Sequence, residues 1–263
     1  MAEEFIVVDG AAPGVRRVTL NRPDQRNAIN NGMRAELFAA LEAADTDRSV
    51  HVTIIRGAGP CFSSGYDLKR GREERPYYTA GGDGNWSRHV TEGWVRIWDL
   101  AKPVIAQVHG YAMAGGTELV AACDLVYVAD DATFSYPVVR VISPPDFQYH
   151  PWLVGMRNAM ELVLTGDPIN GDDAVRIGLA NRAFPAAELD ARVVDIAQRI
   201  AGVPAELLQI NKRSVHRAME IMGIRTGIRA GSELQAIASN LPVVQALLAG
   251  GDAVSSVKRA ADK

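Results

Sequence analysis

Glu118 and Asp146 are the carboxylates whose settings suggest chemistry. Glu118 follows the glycine pair of 110-GYAMAGGTELV-120, near the start of a short helix. A carboxylate there either serves as a general acid or base, or satisfies free N–H groups of the first turn and its positive dipole end. Asp146 stands in 143-SPPDFQYHPW-152, where an aspartate after two prolines is either reactive or a helix N-cap. Tyr136, Tyr149 and His150 add polar groups around the same proline-rich stretch. A second signal belongs to the main chain. Two apolar strands run into glycine-rich loops, 57-GAGPCFSSGYDL-68 and 110-GYAMAGG-116. Glycine admits backbone conformations closed to other residues and lets a ligand approach the chain. Unpaired N–H groups at a helix start can hold a developing negative oxygen, so each loop could supply one donor.

Other chemistries are excluded by inspection. The chain has no G-x-S-x-G elbow, no H-E-x-x-H and no phosphate-binding G-x-x-x-x-G-K-[ST]. Gly57 and Gly59 begin a dinucleotide fingerprint, but Phe62 occupies its third position. The histidines at 51, 89, 109, 150 and 216 are too dispersed for a metal site, and Cys61 and Cys123 are too few for a disulfide framework or thiolate zinc. No metal and no resident cofactor are expected. The 28 Lys and Arg against 31 Asp and Glu leave a net charge of −3, which gives no basic excess for a nucleic-acid backbone. The start, MAEEFIVVDG, carries acids where a secretion signal needs a basic region, and no apolar run approaches a membrane span; a cytoplasmic location is expected.

The elements that must position these groups alternate between strand and helix. Phe5 to Val8 and Val15 to Leu20 read as a hairpin turned by DGAAPG. Met33, Leu37, Ala40, Leu41 and Ala44 form the apolar stripe of a helix over 31–45. Strands follow at 51–57, 103–110 and 124–130, a short helix at 117–123, and a polar surface loop at 69–84. A helix from about Trp86 to Leu100 carries His89 and Trp94; two of its turns could face a pocket, with core packing the favoured role of both tryptophans. From about 156 the chain is mostly helical, over 156–164, 171–178, 186–201, 204–222 and 225–248, with Pro204 and Gly223 as punctuation. These helices carry more apolar residues than a free tail could hide, so they must dock on the core or on a neighbouring subunit.

Five strings in order, 20-LNRPDQRNAIN-30, 62-FSSGYDL-68, 102-KPVIAQVHGYAMAGGTEL-119 with 123-CDLV-126, 164-LTGDPIN-170 and 174-AVRIGLA-180, closely resemble the crotonase superfamily, the enoyl-CoA hydratase and isomerase family. The resemblance implies an α/β fold: a crotonase-like spiral of ββα units over 1–195 and a C-terminal helical oligomerisation region over 196–263. It also implies a homotrimer or a hexamer built as a dimer of trimers. The implied substrate is an acyl-CoA thioester, with coenzyme A as part of the substrate rather than a cofactor. By position, the backbone N–H groups of Tyr66 and Gly115 would hold the thioester oxygen, and Glu118 would be the acid or base. Arg26, Ala28, Ser64, Asp67 and Leu68 would face the coenzyme A moiety. The usual label is hydro-lyase or isomerase. One departure matters: in 134-FSYPVVR-140 the second glutamate of the hydratases falls on Val138, which can neither take nor give a proton. Asp146, 31 residues after Gly115, resembles in position the nucleophilic aspartate of the family's chlorobenzoyl-CoA dehalogenases. The alternatives are therefore a hydrolase or lyase using Asp146, or a CoA-binding relative without hydratase activity.

Overall fold

The computed structural model describes residues 4–67 and 85–249. The expected loop at 69–84 and the side chain of Trp86 lie outside the described residues. β1 (Ile6–Ala12) and β2 (Val15–Leu20) form the expected hairpin. The turn is tighter than DGAAPG suggests: Asp9 to Ala12 continue the strand through a register shift, and Gly14, at φ 75°, makes the reversal with Pro13. α1 (Asn31–Thr46) starts at Asn30, whose side chain accepts the Met33 N–H at 2.7 Å, and buries Met33, Leu37, Leu41 and Ala44 as the spacing requires.

β3 (Val52–Gly57), β4 (Val104–Val108) and β6 (Leu125–Ala129) are nearly continuous apolar runs, because each is covered on both faces. With β9 (Arg182–Phe184) they complete a six-stranded sheet in the order β1-β2-β3-β4-β6-β9, parallel from β2 onward. A smaller sheet stacks β5 (Tyr111–Met113), β7 (Thr133–Ser135) and β8 (Ile169–Asn170). Successive turns of chain place one strand in each sheet and then a helix: β4, β5 and α3 (Gly115–Ala122), then β6 and β7. The preceding turn does the same with β3, α2 (Asn85–Asp99) and a single bridge of Ser63 to Ala112. This is the ββα spiral expected from the sequence.

The remaining helices are α4 (His150–Leu153), α5 (Gly155–Thr165), α6 (Gly171–Arg176), α7 (Leu189–Ala201), α8 (Ala205–Ile221), α9 (Ile224–Ser239) and α10 (Pro242–Ala249). α7, within which the expected 195/196 boundary falls, packs across β2, β3, β4 and β6. The helix expected over 225–248 is two helices. The chain leaves α9 at Asn240 and Leu241, and Pro242, which cannot donate to a preceding turn, opens α10. α8 is tied down by Lys212, whose inward-turned side chain bonds Asp124 at 2.9 Å and the carbonyls of Ile97 and Lys102. Among the described residues no helix is long and apolar enough to cross a membrane, and no cluster of His, Cys, Asp and Glu could hold a metal.

Candidate active site

The spiral brings the two glycine loops into contact. Met113 N–H donates to Ser63 C=O at 3.0 Å and Ser63 N–H to Tyr111 C=O at 3.2 Å, which locks the end of one loop to the other. Gly65, at φ 91°, lies so close that a Cβ there would sit 2.7 Å from Met113 O and 3.1 Å from Gly115 N. A Cβ on Gly115 would in turn meet the Tyr66 ring at 2.6 Å. Glycine is required at both places. Tyr66 and Gly115, 49 positions apart in sequence, are therefore neighbours, and Gly115 opens α3, where its N–H has no preceding helical turn to accept it.

A second set of bonds holds the strand-to-loop segment that bears Tyr66. Arg26 and Asn27 adopt left-handed backbone at φ 55° and 52°. That turn lets the Asn27 side chain donate to the carbonyls of Ala58 and Cys61 at 2.8 and 2.9 Å, and its carbonyl accept Ser63 Oγ–H at 2.8 Å. Ser64 N–H donates to Arg26 C=O, and Ile29 pairs with Tyr66 through Gly65 C=O and Asp67 N–H. The Arg26 side chain is exposed and Ala28 is half-buried. Asp67 turns inward, where its carboxylate bonds the buried Arg22 guanidinium at 3.0 Å. Leu68 lies outside the described residues.

Glu118 is wholly buried in the first turn of α3. Its carboxylate does not cap α3. Oε2 accepts the Tyr66 hydroxyl, and Oε1 accepts the Tyr136 hydroxyl at 2.8 Å and the Phe147 N–H at 3.2 Å. Trp94, read from the sequence as core packing on a helix that could face the acyl pocket, donates its indole N–H to the Tyr66 hydroxyl at 2.9 Å, which orients that hydroxyl toward Glu118. Burial raises the Glu118 pKa above the usual carboxylate range, and the bonds from Tyr66, Phe147, Tyr136 and the Asp146 N–H resist the rise. Burial, then the negative neighbours Glu118 and Asp146, push both tyrosines well above the ordinary phenol value, so each remains a donor.

Asp146 is not an N-cap. α4 begins at His150 after Tyr149, with no side-chain cap, and Asp146 sits earlier, 5% exposed, in an irregular run that wraps over Glu118. Its charge reaches the same two tyrosines as Glu118, so the sequence-distant carboxylates share one environment. Val138 lies half-buried in the short 3-10 turn Pro137–Arg140. His150 is 2% exposed, stacks on Tyr149 with ring centroids 4.0 Å apart, and is held neutral by burial with its pKa lowered to about 4. Sequence reasoning singled out Tyr136 but gave neither it nor the polar ends of Tyr66 and Trp94 as partners of Glu118. No spacing rule joins them, because Tyr66 and Trp94 come from the turn of the spiral before Glu118 and Tyr136 from the turn after it.

Comparison with known proteins points the same way. Residues 10–240 match the family model "Enoyl-CoA hydratase/isomerase". The Mycobacterium tuberculosis protein EchA13 is 37% identical over 234 residues, covering 81% of this chain and 74% of that protein. The 2,3-dehydroadipyl-CoA hydratase of Escherichia coli is 33% identical over 207 residues, 78% of this chain and 79% of that protein. Among solved structures, an enoyl-CoA hydratase/isomerase from Xanthobacter autotrophicus superposes with a TM-score of 0.87 at 33% identity, covering 98% of this chain and 96% of that one.

Proposed function

Because the chain belongs to the enoyl-CoA hydratase/isomerase family of the crotonase superfamily, we propose that it binds an acyl-CoA thioester and stabilises the enolate formed from it. In this reading the N–H groups of Tyr66 and Gly115 hold the thioester oxygen, and Glu118 takes or gives the proton. Removing a proton α to the carbonyl, or adding water across an enoyl double bond, places an electron pair on that oxygen. Fixed donors aimed at it lower the barrier, and one such donor contributes about 2.7–4 kcal/mol. The observation that carries the proposal is the contact of Gly65 and Tyr66 with Gly115, immediately before the turn that buries Glu118.

Val138 stands where the family's hydratases carry their second glutamate, so in this reading Glu118 does the acid and base work with tyrosine hydroxyls as its partners. A buried carboxylate with a raised pKa suits that, since it can hold a proton closer to neutrality than an exposed one. Hydro-lyase or isomerase chemistry on an enoyl thioester is the first expectation. A second reading, hydrolysis or lyase chemistry with Asp146 as base or nucleophile, is favoured by the burial of Asp146 beside Tyr66 and Tyr136. In either reading exposed Arg26 offers coenzyme A a phosphate-matching guanidinium, and the half-buried Ala28 and Ser64 would face that moiety through their main chain. Asp67 serves by holding that loop to Arg22. Ile210, Val215 and Ile221 on α8, Leu234 and Ile237 on α9, and Val243 on α10 are exposed in the single chain, which supports assembly as a trimer or hexamer.

Calorimetry with crotonyl-CoA and a panel of enoyl-, 3-hydroxy- and 3-oxoacyl-CoA thioesters tests the proposal, with products read by mass spectrometry. Binding with a chemical change in one class supports it. A folded protein that binds no acyl-CoA refutes it, and turnover lost in Asp146→Asn but retained in Glu118→Gln selects the second reading.

A further inference from the structure

Ser232, on a C-terminal helix, is joined to Glu118 through a single peptide unit. Thr91 of α2 donates its hydroxyl to the Asp146 carbonyl at 3.0 Å, and its Oγ1 lies 2.9 Å from Ser232 Oγ on α9. A hydroxyl has one proton to give. With the Thr91 proton on the Asp146 carbonyl, Ser232 donates to Thr91; its separations from the Asp146 and Ile228 carbonyls are longer, both 3.4 Å. The Asp146 carbonyl and the Phe147 N–H belong to one planar unit. From the opposite edge of that plane the Phe147 N–H donates to Glu118 Oε1 at 3.2 Å. Thr91, Ser232, Asp146, Phe147 and Glu118 are all buried, so water does not compete for these bonds. Gly231 is what lets α9 come this close, since a Cβ there would lie 2.4 Å from Cγ of Gln148.

We propose that Thr91 and Ser232 are positioning residues for Glu118: their hydroxyl chain fixes the plane of the 146–147 peptide and so aims the Phe147 N–H at the carboxylate. The inference rests on the reading of Glu118 as the acid/base group, and it gives α9 a task inside the site beyond assembly. A donor on the carbonyl polarises the N–H of the same unit and strengthens its bond to a carboxylate, which favours the ionised form. Without the Thr91 hydroxyl, the donor left for the buried carbonyl is Ser232, and turning toward it draws the N–H off Glu118. The titratable groups facing this cluster are Tyr66, Tyr136, Tyr149 and Asp146, with Arg34 acting on Tyr66 from α1; substitution at Thr91 or Ser232 alters none of them.

The test is the titration of Glu118 in the intact protein by infrared difference spectroscopy, its carboxyl band assigned by its loss in Glu118→Gln. Thr91→Val should raise the midpoint by about half a pH unit, and Ser232→Ala by less, if the chain strengthens a charged hydrogen bond by roughly 10–30%. Thr91→Ser, which keeps the hydroxyl, should restore the midpoint. The acid limb of kcat/KM for the thioester turned over should move with it, with KM unchanged. Folded Thr91→Val and Ser232→Ala proteins with the original midpoint overturn the inference; if Thr91→Val does not fold, the midpoint of Ser232→Ala alone decides it. Glu118→Gln with undiminished turnover would instead defeat the acid/base reading, while the infrared midpoints still report on positioning.

Discussion

Replacing Glu118 with glutamine should make the protein more stable and less active, and the pH dependence of the first effect follows from the structure. Glu118 is wholly buried, and burial holds its pKa above the usual value near 4.5. Between that value and its raised native pKa, the unfolded chain releases a proton that the native chain retains. Native protein then binds more protons than unfolded protein, so stability falls as pH rises through this window, by at most about 1.4 kcal/mol per pH unit for one group. The contribution is fully present below the ordinary carboxylate pKa and lost as pH passes the native one. Glutamine removes the ionisation while keeping an acceptor for Tyr136 and the Phe147 N–H and offering a donor to the Tyr66 hydroxyl. His89 and His150, lowered by burial to about 3 and about 4, tilt stability the opposite way below pH 6.5, but they do so in both proteins and cancel in the difference. Urea unfolding followed by tryptophan fluorescence from pH 4 to 8, at one protein concentration, should show a gap favouring Glu118→Gln that opens above about pH 4.5 and then levels. Turnover should drop about 10²–10⁴-fold. A gap that does not change with pH, or a glutamine protein that loses ground as pH rises, would refute the account of Glu118 as a strained buried carboxylate.

Tyr136→Phe deletes a 2.8 Å bond to the Glu118 carboxylate, so the acid limb of the pH–rate profile should move up by about 1–2 units, the equivalent of one hydrogen bond to a charged group. Gly65→Ala puts a Cβ 2.7 Å from Met113 O on a residue at φ 91°; kcat/KM should fall by about 10²–10³ as the loops part, with a lowered melting temperature. Val138→Glu restores a second carboxylate in a half-buried turn, and crotonyl-CoA hydration followed by absorbance should rise by at least about 10²-fold over the parent; no gain would mean that this turn does not face the reacting carbons.

Local sequence determined a good deal of this protein. The apolar runs at β3, β4 and β6, the stripe on α1 and the glycines at 65, 115 and 116 are short-range signals, because strand burial, helix amphipathicity and tight turns each depend on neighbouring residues. The five ordered strings were enough to place the chain in its family. Three things were decided only by tertiary structure. Glu118 was legible as a carboxylate at a helix start, but its partners are Tyr66, from the preceding turn of the spiral, and Tyr136 and Phe147, from the following one. Asp146 carried the local marks of an N-cap, yet the next helix starts at His150, and packing turns that stretch over Glu118 instead. The C-terminal helices had to dock on the core or on a neighbouring subunit, and only the fold shows that α9 reaches the Asp146 carbonyl through Ser232 and Thr91. The physical reason is common to all three: a hydrogen bond between side chains far apart in sequence leaves no periodicity and no spacing, and it exists only once the apolar core has brought its two ends together.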